Sequence, residues 1–93
     1  MNTNATVELY TKSWCPFCQR AKALLDDKGV TYIDYDITSD AAGEAAMRQR
    51  SGGYTVPQIF INGQLIGGSD DLHALEARGI LDELLAHEVE ETA

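Results

Sequence analysis

Cys15 and Cys18 stand two residues apart in the run Cys15-Pro16-Phe17-Cys18, and the 93-residue chain has no other cysteine. Two thiols at this spacing support a reversible dithiol–disulfide cycle, half of a zinc site, or an inert place in the core. A bond between them closes almost no loop, so it would add little stability by constraining the unfolded chain and is a poor structural staple. A structural zinc needs four ligands, and the remaining soft partners, His73 and His87, lack finger-like spacing and read as surface histidines. Redox chemistry is the reading that survives. If a helix starts at Pro16, Cys15 faces its unpaired N–H groups and the positive end of its dipole, with Lys12 nearby to add favourable charge. Both effects favour the thiolate, the form that attacks sulfur, and mark Cys15 as the nucleophile. Cys18, one helical turn further in and on the same side, is expected to be less exposed and to act as the resolving thiol. Pro16 fixes the backbone between the two sulfurs without losing a helix hydrogen bond.

These roles need a strand that ends, and a helix that begins, at the cysteine pair. Residues 5–11 alternate Val7, Leu9 and Thr11 against Thr6, Glu8 and Tyr10, the two-residue period of a strand. Ala21, Leu24 and Leu25 form the apolar stripe of the following helix, which Gly29 ends, and the β-branched and aromatic residues of 30–35 predict a second strand. Thr38, Ser39 and Asp40 offer N-caps for a second helix running to about Arg50, with a thin apolar face of Ala42, Ala45, Ala46 and Met47. After Gly52 and Gly53, residues 58–61 and 64–66 predict a hairpin across Asn62-Gly63. Ser69 or Asp70 caps a third helix carrying Leu72 and Leu75, and beyond Gly79 a short amphipathic continuation holds Ile80, Leu81, Leu84 and Leu85. The order β-α-β-α-β-β-α is that of an α/β fold with a parallel first half and an antiparallel second half. The length suits a single domain, 1–93, with a core over about residues 5–87 and an acidic tail at 88–93.

The formal net charge of −8 disfavours nucleic acid, whose affinity for proteins comes largely from basic residues displacing counterions. No basic, apolar leader and no apolar run of about 20 residues is present, so a soluble, intracellular protein with no membrane contact is expected. Six of the seven basic residues, Lys12, Arg20, Lys22, Lys28, Arg48 and Arg50, precede Ser51. A positive rim near the cysteines that steers anionic ligands would follow from this segregation.

With Tyr10-Thr11-Lys12 ahead of the cysteines, Thr55-Val56-Pro57 after the second helix and Gly67-Gly68-Ser69-Asp70-Asp71 after the hairpin, the sequence resembles the dithiol glutaredoxins of the thioredoxin-like superfamily. It looks most like the bacterial glutaredoxin 3 group, and the similarity runs from about Val7 to Leu85. The resemblance implies a four-stranded mixed sheet flanked by helices, a cis bond at Pro57, glutathione as co-substrate and no metal. It implies a cytoplasmic monomer that reduces disulfide-containing and glutathionylated proteins, ribonucleotide reductase being a candidate in this family. Lys12 would meet the glycyl carboxylate of glutathione, and the Val56 backbone would pair with its cysteinyl unit in the manner of an added strand. Ser69 and Asp70 would hold the γ-glutamyl end at a helix N-terminus, where Gly68 permits close approach. Phe17, Thr55 and Pro57 complete the implied lining. Three positions depart from the pattern: Phe17 stands where many relatives have Tyr, Gly53 where close relatives often carry a basic residue, and Ser69 where some have Cys. Two other functions compete. An iron–sulfur carrier would ligate a cluster through Cys15 and glutathione, but such relatives usually have a single cysteine followed by Gly-Phe-Ser. A thioredoxin-type reductant would draw electrons from a flavoprotein and not from glutathione.

Overall fold

A computed structural model describes residues 5–86; the acidic tail and His87 lie outside the described residues. Strand β1 (Val7–Thr11) leads to helix α1 (Pro16–Asp27), then β2 (Ile33–Asp36), α2 (Ala41–Ser51), the hairpin β3 (Gln58–Ile61) and β4 (Gln64–Gly67), α3 (Ser69–Ala77) and α4 (Leu81–Ala86). The strands lie in the order β2-β1-β3-β4. β1 runs parallel to β2 and antiparallel to β3, and β3 is antiparallel to β4. This is the mixed four-stranded sheet expected from the residue pattern.

The strand alternation splits the interior into two clusters, one on each face of the sheet. Val7 and Leu9 of β1 and Ile59 and Ile61 of β3 meet Ala21 and Leu25 of α1, Leu72 of α3, and Leu81 and Leu85 of α4. The opposite face presents Tyr10 and Phe60, which pack with Ile37 and with Met47 of α2, while Val56 closes that cluster's edge. The weak apolar stripe of α2 is sufficient because this helix buries one large side chain, Met47.

Local signals set the element ends. Asp40 caps α2 through a bond from Gly43 N–H to its Oδ1 at 2.9 Å, and Gly52 ends the helix in the left-handed conformation at φ 73°. Asn62 (φ 53°) and Gly63 (φ 77°) both take positive φ, the geometry of a type I′ hairpin turn. Three boundaries differ from expectation. Val30 is buried but lies outside β2, because its N–H bonds back to Leu25 O at 2.9 Å and continues the wrap of α1 beyond Gly29. The continuation past Gly79 is a separate helix, α4. The cap of α3 is Gly68, not Ser69 or Asp70: the Asp71 carboxylate accepts the Gly68 N–H at 2.9 Å, leaving Ser69 as the first helical residue. Among the described residues no helix is long and apolar enough to cross a membrane.

Candidate active site

Cys15 occupies the N-cap position of α1 and Pro16 its first turn. The Cys15 Sγ accepts the Cys18 backbone N–H at 3.4 Å, so the sulfur is held where an unpaired helix donor stabilises negative charge. From the other side the Cys15 thiol donates to the Val56 carbonyl at 3.6 Å, which ties the cysteine loop to the segment before Pro57. Both thiols are free and both residues are buried, Cys18 completely. Burial, chiefly, pushes the Cys18 thiol up to about 12 from its ordinary 9.0, and the hydrogen bond and charge of Cys15 push in the same direction. Cys18 therefore keeps its proton at neutral pH, which fits the resolving and not the attacking role.

The Val56–Pro57 bond is cis, as the resemblance implied. Val56 lies beside a groove of about 420 Å³ lined on one side by Phe17, Thr55, Val56, Pro57 and Gln58, and on the other by residues Gly67 to Asp71. Among the described residues the Val56 N–H has no hydrogen-bond partner, which leaves a backbone donor for an extended ligand. Phe17, Thr55, Val56, Pro57, Gly68, Ser69 and Asp70 thus converge on one surface. Lys12 does not line it. Its ammonium pairs with Glu44 Oε1 at 3.6 Å and lies 5.7 Å from the centre of the Trp14 ring.

The expected positive rim is largely neutralised. Lys12 and Arg48 pair with Glu44, Lys22 with Asp34, Lys28 with Glu76 and Asp82, and Arg50 with Glu8. Apart from the i,i+4 pair of Arg48 and Glu44, folding brings acidic residues from other parts of the chain onto these cations, a pairing that charge counting along the sequence does not reveal. His73 is tied to the groove wall: its Nδ1 lies 2.8 Å from Ser69 O, the distance of an N–H donating to that carbonyl. Among the described residues no three His, Cys, Asp or Glu side chains gather as a metal site.

Gln58, Asp71 and Glu44 hold places at the site that the residue pattern did not assign to them. Gln58 is buried and its amide donates to Thr55 O at 3.0 Å, bracing the turn that carries Val56 and Pro57. A Cβ on Gly53 would lie 2.7 Å from that same amide, so a side chain there would require the Gln58 amide to shift. Asp71 holds Gly68 N–H, and its place three residues after Gly68 is the capping spacing that could have identified it. The i,i+4 spacing of Glu44 and Arg48 signalled only that pair; the contact with Lys12, in the loop after β1, had no signal in the sequence.

Comparison with known proteins agrees with this arrangement. A model of the glutaredoxin family matches residues 7–66. Glutaredoxin 3 of Escherichia coli K12 is 59% identical over 81 residues, spanning 87% of this chain and 98% of its own. A probable glutaredoxin of Synechocystis is 55% identical over 83 residues, 88% of this chain and 76% of its own. Among solved structures, glutaredoxin from Brucella melitensis superposes with a TM-score of 0.80 at 42% identity, covering 99% of this chain and 98% of that one. A buckwheat glutaredoxin–glutathione complex gives a TM-score of 0.80 at 31% identity, covering 89% of this chain and 78% of that one.

Proposed function

The chain belongs to the glutaredoxin family of glutathione-dependent thiol–disulfide oxidoreductases, and we propose that it works through Cys15 as nucleophile and Cys18 as resolving thiol. The observation that carries this reading is the Cys15 sulfur at the mouth of α1, bonded to the Cys18 N–H at 3.4 Å and to the Val56 carbonyl at 3.6 Å beside an open groove.

With a glutathionylated protein, the Cys15 thiolate attacks the glutathione sulfur. A Cys15–glutathione disulfide forms, the original disulfide breaks, and the target leaves as a thiolate that takes a proton from water. A second glutathione thiolate then attacks the bound glutathione sulfur, releasing glutathione disulfide and the Cys15 thiolate. With a protein disulfide, Cys15 forms a mixed disulfide with the target, and Cys18 displaces the target to give the Cys15–Cys18 bond. Two glutathione molecules reduce that bond in turn. The order of steps has a structural basis: Cys15 stands at the helix mouth beside the groove, while Cys18 is fully buried one turn inside and reaches only the sulfur of Cys15.

For the tripeptide, the Val56 backbone serves the cysteinyl unit, and the N-terminal turn of α3 at Ser69 and Asp70 serves the γ-glutamyl end. Phe17, Thr55, Pro57 and Gly68 shape the walls, and Lys12 reaches the glycyl carboxylate. The same reading assigns the chain to one domain over residues 1–93, acting as a monomer in the cytoplasm, with ribonucleotide reductase among candidate targets.

The test is an assay of glutathione mixed-disulfide reduction coupled to glutathione reductase. Cys15→Ser is expected to abolish turnover. Cys18→Ser is expected to retain deglutathionylation and to lose reduction of protein disulfides. Turnover by Cys15→Ser would overturn the assignment, and reduction by a thioredoxin reductase with none by glutathione would select the thioredoxin-type alternative.

A further inference from the structure

Glu44 engages the cation that the substrate carboxylate needs, and we infer that this side chain is an internal competitor that sets affinity for the glycyl carboxylate of glutathione. The inference rests on the function proposed above in one respect, that Lys12 meets this carboxylate.

A single oxygen, Glu44 Oε1, lies 3.6 Å from Lys12 Nζ and 3.2 Å from Arg48 Nη2. Among the described residues neither cation has another carboxylate partner within ion-pair distance. The surroundings are aromatic: Lys12 lies over Trp14, and the Arg48 guanidinium stands 4.9 Å from the centre of the Tyr54 ring. Gly53, next to Tyr54, has no side chain with which to supply a further cation. A ligand carboxylate has the same charge and shape as that of Glu44. When Lys12 turns to the ligand it gives up the Glu44 contact, so binding exchanges one carboxylate for another and gains less than binding to an unpaired ammonium would.

The Glu44 backbone is fixed by α2, its N–H bonded to Asp40 O at 3.0 Å, so the exchange requires side-chain rotation only. The Lys12 and Glu44 side chains keep 23% and 29% of their exposure. The pair is partly buried yet still reached by water, and the penalty on affinity is about two- to fivefold.

Glu44→Gln keeps the shape and removes the charge. In the coupled assay with a glutathionylated peptide, it is expected to lower KM about two- to fivefold with kcat unchanged. The gain should vanish when the substrate's glycyl carboxylate is esterified, and Glu44→Ala should move KM in the same direction. An unchanged or raised KM in Glu44→Gln overturns the inference, since Glu44 would then be idle or would hold Lys12 in its working position. A gain that survives the ester overturns it too, as a general charge effect. Lys12→Met separates the inference from its premise. If Lys12→Met raises KM for the free acid and not for the ester, Lys12 stands as the carboxylate contact whatever Glu44 does; if it changes nothing, the premise itself falls.

Discussion

At the scale of single residues, the two cysteines differ through their surroundings and not through their chemistry. Cys15 terminates a helix and receives a backbone donor, whereas Cys18 is enclosed by the core and its thiol is pushed up to about 12. At pH values where an ordinary thiol is already half ionised, the Cys18 thiol thus stays protonated in the native protein. Native reduced protein treated with a small alkylating agent at neutral to mildly alkaline pH is therefore expected to be modified at Cys15 and spared at Cys18. Peptide mapping by mass spectrometry reads this, and the same reagent in denaturant should modify both. Equal labelling in the native state would show that Cys18 is not protected. The placing of the two sulfurs was legible in the sequence because the strand–helix junction and the spacing already dictate which lies at the helix mouth and which lies one turn inside.

At the scale of elements, α2 shows where propensity is a poor guide. Gly43 lies in the first turn of this helix, where replacement by alanine would ordinarily stabilise by up to about 1 kcal/mol. Here a Cβ would lie 2.5 Å from Asp40 Oδ2 and 2.9 Å from Ile37 Cγ2. Relieving that contact displaces the Asp40 carboxylate from the Gly43 N–H, a cap worth about 1 kcal/mol, and disturbs the buried Ile37. Gly43→Ala is expected to lower the urea midpoint, and a raised midpoint would refute the packing account. The hairpin and the helix starts at Pro16 and Asp40 could be read from local chemistry. The cap of α3 was readable too, from the three-residue spacing of Gly68 and Asp71, but Ser69 and Asp70, the stronger cap formers, drew the expectation one residue too far along.

At the scale of the whole molecule, one polar network joins the sheet to α2 on the face away from α1. Arg50 meets Glu8 with two bonds of 3.1 Å, bonds Tyr10 Oη at 3.0 Å and lies 4.1 Å from the centre of the Phe60 ring, while Tyr35 Oη donates to Glu8 at 2.9 Å. The Arg50 hydrogen bond, ahead of every other influence, holds the Glu8 carboxyl below its ordinary 4.5. A lowered native value gives stability that is full above the unfolded value and is lost as pH falls through the native one. Stability is thus expected to decline below about pH 4.5, and Glu8→Gln, lower by roughly 1 kcal/mol at neutral pH, should show a flatter acid limb in urea titrations. An unaltered acid limb would remove Glu8 from that role. Residue order alone determined the strands, the helices, the placing of one cysteine at the mouth of α1 and the other a turn inside, and the family resemblance, because strand alternation, capping and turn chemistry act over a few residues. Only the tertiary structure decided that Lys12 is engaged by Glu44, that Gln58 braces the Val56 turn and that Arg50 spans to Glu8. Those contacts join residues far apart in the chain, and which charges meet depends on how the elements stack, a property that no local pattern encodes.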